Sequence, residues 1–118
     1  MSPSIIMEKI QACQQALTAG NTQLKTLGVK KADAERKYRV ELRKELLRLR
    51  QLEKQPVTLI KDLAKGKEDI AALRLNRDIT KSAYYTAISA MENLRVEIET
   101  LRSMLCWLRE EYKNSGGI

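Results

Sequence analysis

Carboxylates, two thiols and a dense set of lysines and arginines are the side chains in this sequence that could do chemistry. Histidine, the commonest general base and metal ligand, is absent. Carboxylate pairs such as Glu110-Glu111 are adjacent in sequence and point to different faces of a helix, so they do not converge on one substrate atom. Cys13 and Cys106 are too few for a disulfide scaffold or a structural zinc site and form no CxxC pair. No phosphate-cradling Gly-rich loop, GxSxG elbow or EF-hand loop occurs, and a ferritin-like carboxylate site would need ExxH motifs. The expectation is a protein that is not an enzyme and holds no metal or other cofactor.

The cations offer a different chemistry. Net charge is +7, from 22 Lys and Arg against 15 Asp and Glu, which suits an acidic partner such as nucleic acid or an anionic membrane and argues against a nucleic-acid mimic. Lys25 to Lys54 hold 11 basic and 5 acidic residues. The candidate phosphate or partner contacts there are Lys30, Lys31, Arg36, Lys37, Arg39, Arg43, Lys44, Arg48 and Arg50, with Lys54 closing the run. Asp33, Glu35, Glu41, Glu45 and Glu53 are interleaved, several at i,i+3 or i,i+4, so the plainer reading is a self-neutralising, solvated helix face. Only Tyr38 is aromatic in that run, which argues against single-strand binding by base stacking.

The elements that must carry these charges are helices. From Tyr84 to Tyr112 apolar residues recur as Tyr84, Ala87, Met91, Leu94, Ile98, Leu101, Leu105, Leu108 and Tyr112, always three or four apart. That 3.5-residue period puts one narrow seam on a helix, the pattern of a coiled coil, and marks Tyr84, Met91, Leu94, Ile98, Leu101, Leu105 and Leu108 as seam residues of a helical or oligomeric interface. With Tyr84 at heptad position a, the e positions include Arg74, Lys81, Arg95, Arg102 and Arg109. The g positions include Asp69, Glu97 and Glu111, which predicts interhelical salt bridges. A second seam runs Ile6, Ile10, Cys13, Leu17, Gly20, Leu24, Leu27, then Lys31, Ala34, Tyr38, Leu42, Leu46, Leu49, with a four-residue stutter on the way.

The predicted fold is all-α: a long antiparallel, coiled-coil-like helical hairpin in a single domain, 1–118, dimerising into a four-helix assembly. Ser2 caps a helix over about 4–53, continuous through Gly20 and Gly28, with Pro3 at its first position. Gln55-Pro56 stops it. Thr58 caps a short helix over 58–65, with Gly66 at its C′ position. A third helix covers about 67–113, with Glu68 and Asp69 favouring its dipole, and 114–118 form a disordered tail. With Lys54 level with Lys67, partner numbers add to about 120, which places Cys13 beside Cys106 and predicts that the two thiols crosslink. The short helix plugs the open end with Leu59, Ile60 and Leu63, or offers them to a partner. Trp107 either covers the other end or anchors an interface. The corner resembles a helix-turn-helix only faintly, because the helix after it is far longer than a recognition helix. With no secretory signal and no apolar run near the length of a bilayer span, a soluble protein of the reducing cytoplasm is expected.

Ala34–Arg39, the corner Pro56-Val57-Thr58-Leu59-Ile60-Lys61-Asp62-Leu63-Ala64-Lys65-Gly66, Leu73–Asp78 and Leu94–Ser103 together resemble a group of small helical proteins encoded by phages and prophages, chiefly of Gram-positive bacteria. The resemblance spans about 34–112 and transfers no site residue. It implies an accessory protein that binds a host protein or ribonucleoprotein complex, as an anti-defence inhibitor of the anti-CRISPR kind does. A nonspecific nucleic-acid binder using the basic face of 30–54 is the alternative, and a structural coiled-coil scaffold a third.

Overall fold

A computed structural model describes residues 2–52 and 56–116. The chain is all-α, with helices α1 (Pro3–Leu52), α2 (Val57–Gly66) and α3 (Glu68–Gly116), and no strand occurs among the described residues. The sequence places the end of the first helix at Glu53 and its stop at Gln55; these, Lys54, Gly117 and Ile118 lie outside the described residues. Where one domain is expected, the chain divides into two compact units: unit 1 is Met1–Leu24 with Thr86–Ile118, and unit 2 is Lys25–Tyr85. In each, a segment of α1 runs antiparallel to its partner.

In unit 1 the two heptad seams meet. Ile6, Cys13, Ile98 and Leu101 are buried together, with Ile10, Leu17, Leu94, Leu105 and Leu108 packed around them. Ser2 opens α1 as the spacing predicts: its carbonyl accepts from Ile6 N at 3.1 Å and its hydroxyl accepts from Ile5 N at 3.4 Å. The tail differs from expectation. Asn114, Ser115 and Gly116 continue α3, because Ser115 Oγ donates to the Glu111 carbonyl at 2.8 Å and so stays within the helical turn instead of breaking it.

In unit 2 the short helix is not a plug. Ile60 and Ala64 of α2 are buried against Leu49, with Leu42 and Leu46 packed around them, so α2 is the first segment of the returning leg. Its other apolar residues, Leu59 and Leu63, stay exposed. Pro56 precedes the first turn, with no side-chain cap, and Thr58 lies inside α2. Gly66 is the last helical residue of α2. The break falls at Lys67, whose extended backbone (φ −62°, ψ 133°) any residue adopts, so Gly66 is not the left-handed C′ cap its type suggests.

The register also differs. Glu45 meets Lys67, Glu35 meets Arg77 and Gly28 meets Tyr84, numbers that add to 112 and not 120. Unit 1 gives 111 at Gly20–Met91. The cause is α2: its ten residues run back along α1, so α3 begins level with Glu45, well before α1 ends. Tyr38 therefore faces Arg77 and not 81–84. Cys13 packs with Ile98 and Leu101 and away from Cys106, which is exposed.

Gly20 and Gly28 are expected to weaken α1, each by about 1 kcal/mol. Both lie on the seam under a large partner. A Cβ at Gly20 would sit 3.3 Å from Met91 Cγ, and one at Gly28 3.4 Å from the Tyr84 ring. Gly28→Ala meets only ordinary contact and should stabilise by about 0.5–1 kcal/mol. Gly28→Leu should overpack against Tyr84 and cost about 1–3 kcal/mol; both are checked by thermal or urea unfolding. The register also places Cys106 about 12 Å along the helix from the level of Cys13, too far for a bridge. Burial, and then the nearby Glu97 carboxylate, push the Cys13 thiol above its ordinary value. A thiol reagent should label Cys106 at once and Cys13 only on unfolding, with no intrachain disulfide under oxidant.

Candidate anion-binding face

The stutter in α1 decides which of its side chains face inward. After Ala34 and Tyr38 the buried positions are Glu45 and Leu49, so a carboxylate occupies the seam position expected for Leu46. Leu46 is half-buried and packs against α2 instead. Glu45 is 6% exposed. Arg48 grips it with Nη2 2.6 Å from Oε1 and Nε 3.1 Å from Oε2, and Lys67 Nζ reaches Oε2 at 3.0 Å from the far side of the corner. The Arg48 hydrogen bonds and then that of Lys67 outweigh desolvation and lower the Glu45 pKa to about 2.

A second polar layer surrounds Arg77. Its guanidinium lies 4.5 Å from the Tyr38 ring centre, donates to Asp78 at 2.9 Å and stands 3.7 Å from Glu35. Its hydrogen bond to Asp78 leads the contacts that hold the guanidinium charged. A third layer is aromatic: Lys31 Nζ sits 5.7 Å from the Tyr84 ring centre and 5.9 Å from that of Tyr85.

These layers sort the nine candidate cations. Arg36 and Lys37 share Asp33, Arg39 holds Glu35, Lys44 holds Glu41 and Arg48 holds Glu45. Lys31 is committed to the tyrosines. The self-neutralising pattern is therefore real for most of the run. Among the described residues Lys30, Arg43 and Arg50 are exposed and meet no carboxylate; Lys54 lies outside the described residues.

Two cations outside the basic run join them. Lys61 and Lys65 of α2 line a groove with Leu42 and Leu46 of α1. Arg43 and Arg50 flank Leu46 one turn to either side. Two lysines thus line the groove and two arginines lie one turn from its Leu46, and among the described residues none of the four has an ion-pair partner. The groove on the other side of α2 is mixed in charge, lined by Glu45, Arg48, Asp62 and Lys67 among others. A four-residue Lys61/Lys65 spacing on a helix whose Ile60 and Ala64 face inward is the signal that could have found the pair.

The expected e-to-g salt bridges do not form. Arg74, Lys81, Arg95, Arg102 and Arg109 meet no carboxylate within 4 Å among the described residues, and most ion pairs are local to α1. For Arg95 the reason is in α1, whose stretch between Ile10 and Leu24 has no charged residue to answer it.

Of the candidate interface residues, Ile60 is buried and unavailable to a partner, whereas Leu59, Leu63 and Trp107 are exposed. The seam Tyr84, Met91, Leu94, Ile98, Leu101, Leu105 and Leu108 is occupied inside the chain, with Met91, Ile98 and Leu101 buried. No group of His, Cys, Asp or Glu among the described residues could hold a metal ion, and no helix among them is long and apolar enough to cross a membrane. Comparison with protein families, curated proteins and solved structures gives no match.

The lowered Glu45 pKa means that its stabilising contribution is present above the ordinary carboxylate range and is lost as pH falls from about 4.5 towards 2. Glu45→Gln should lower stability by about 1–3 kcal/mol at pH 7 and flatten the acid limb of the unfolding profile, as followed by circular dichroism against pH.

Proposed function

We propose that this protein is a non-enzymatic binding module that occupies a phosphate-lined surface, duplex nucleic acid or a nucleoprotein complex built on it, through the basic face of unit 2. The observation that carries the reading is a groove lined by Lys61 and Lys65, with Arg43 and Arg50 one turn from its Leu46 and, among the described residues, no ion-pair partner for any of the four. The charge inventory supports it. Unit 2 holds 17 Lys and Arg against 9 Asp and Glu, net +8; unit 1 holds 5 against 6, net −1. All the excess positive charge lies in the unit with the groove. Cations on helices neutralise backbone phosphates without reading bases, so the binding is salt-sensitive and indifferent to sequence. The phage-accessory setting implied by the resemblance fits such a module: a small cytoplasmic protein that covers the nucleic-acid path of a host complex inhibits it without catalysis.

The test is fluorescence anisotropy with a duplex of arbitrary sequence across a salt series. Four phosphate contacts give a log–log salt slope of about −3.6, a loss of about 100-fold between 50 and 200 mM salt. Changing Arg43, Arg50, Lys61 and Lys65 together to Gln should remove most of that slope, whereas Arg95→Gln with Arg102→Gln in unit 1 should leave it unchanged. No binding at 50 mM salt, or an undiminished slope in the fourfold variant, would refute the reading.

A further inference from the structure

On the outside of α3 in unit 1, opposite the buried seam, runs a second stripe with the same heptad spacing: Thr86, Ser89, Asn93, Val96, Thr100, Ser103 and Trp107. Every one of them is exposed and none is charged, in a protein that is 31% charged. Val96 is 61% and Trp107 65% exposed. The hydroxyl of Thr100 is already used, donating to the Val96 carbonyl at 3.0 Å. An uncharged, 3.5-period face about 32 Å long is what a further helix packs against. Its borders are acidic: Glu92 and Glu99 on one side, Glu97 and Glu111 on the other. Two copies of this stripe facing each other would bring carboxylates together, so a symmetric α3-to-α3 contact is disfavoured.

The protein itself presents a face of opposite character. On the outside of α1 in unit 2, Val40 and Leu47 lie seven residues apart and are 41% and 47% exposed. Arg36, Lys37, Arg43 and Lys44 border them; Asp33 pairs with the first two and Glu41 with Lys44, which leaves the face two positive charges in excess. We infer that the acid-bordered stripe around Val96 and Trp107 docks onto the base-bordered face around Val40 and Leu47 of a second copy. Apolar residues meet at the centre and the borders pair glutamates with arginines and lysines. The contact is heterologous, so each copy carries both halves of it. If two such contacts close on one another the product is a dimer, and if they do not it is an open filament.

The heterologous character gives the test, run on nuclease-treated protein by sedimentation velocity at low salt and at 0.5 M salt. The unmodified protein should self-associate, at least tenfold more weakly at the higher salt. A stripe variant carries Val96→Lys and Trp107→Ala; a basic-face variant carries Val40→Glu and Leu47→Glu. All four positions are exposed, and circular dichroism verifies that both variants remain helical. Each alone should be monomeric. Mixing them should restore association, because the stripe variant keeps an intact basic face and the basic-face variant an intact stripe. Association by the basic-face variant alone would overturn the inference in favour of an α3-to-α3 contact. A monomeric unmodified protein at 100 µM, or two variants that fail to complement, would overturn it outright.

Discussion

A heptad seam of aliphatic side chains leaves its register under-determined, and the register of each unit depends on what breaks that degeneracy. Sliding two such seams by seven residues brings leucine against leucine again, at little change in burial. The non-aliphatic positions discriminate. In unit 2 a buried glutamate must find Lys67, an arginine must find Glu35 and the Tyr38 ring, and Tyr84 must find the gap above Gly28. In unit 1 Gly20 accepts Met91. A slide by one heptad would replace Arg77 beside Glu35 and Tyr38 by Tyr84 or Ile70, and in one direction would replace Lys67 beside the buried Glu45 by Ile60, a larger penalty than any change among leucines.

That constraint also shapes the surface. The carboxylates of α1 from Asp33 to Glu45 are paired with cations one turn away, and Glu35 and Glu45 are further drawn into the seam of unit 2. Among the described residues the cations of α2 and the outlying arginines of α1 have no ion-pair partner, so unneutralised charge collects beside α2. In unit 1 the α1 segment from Ile10 to Leu24 offers no charge at all, and Arg95 opposite it has no ion-pair partner among the described residues. The polar layers that set the register and the basic groove are therefore two consequences of one distribution of carboxylates.

Much of this was legible from residue types and spacing. The clean heptad from Tyr84 to Tyr112 and the steps from Ile6 to Leu27 identify two long helices, and Ser2-Pro3 marks a start that hydrogen bonds bear out. Continuity of α1 through Gly20 and Gly28 follows from the lack of a proline or strong cap beside them. The partition of Lys30–Arg50 into mostly self-neutralised cations follows from i,i+3 and i,i+4 spacing, and the ion pairs Arg36–Asp33, Lys37–Asp33, Arg39–Glu35 and Lys44–Glu41 form as that rule requires. The groove was not legible, because Lys61 and Lys65 lie outside the basic run and come beside Leu42 and Leu46 only through the packing of α2.

By itself the sequence determined the all-helical class, the two seams and the basic balance, since periodicity and charge are properties of one helix at a time. The tertiary structure alone decided that α2 belongs to the returning leg, that Glu45 and not Leu46 takes the seam, that Cys13 lies level with Ile98, and which cations have no ion-pair partner among the described residues. Those are properties of pairs of helices. An aliphatic repeat is nearly indifferent to a shift of one heptad, so only the burial of a few polar and small residues against particular partners selects one alignment from the set the repeat allows.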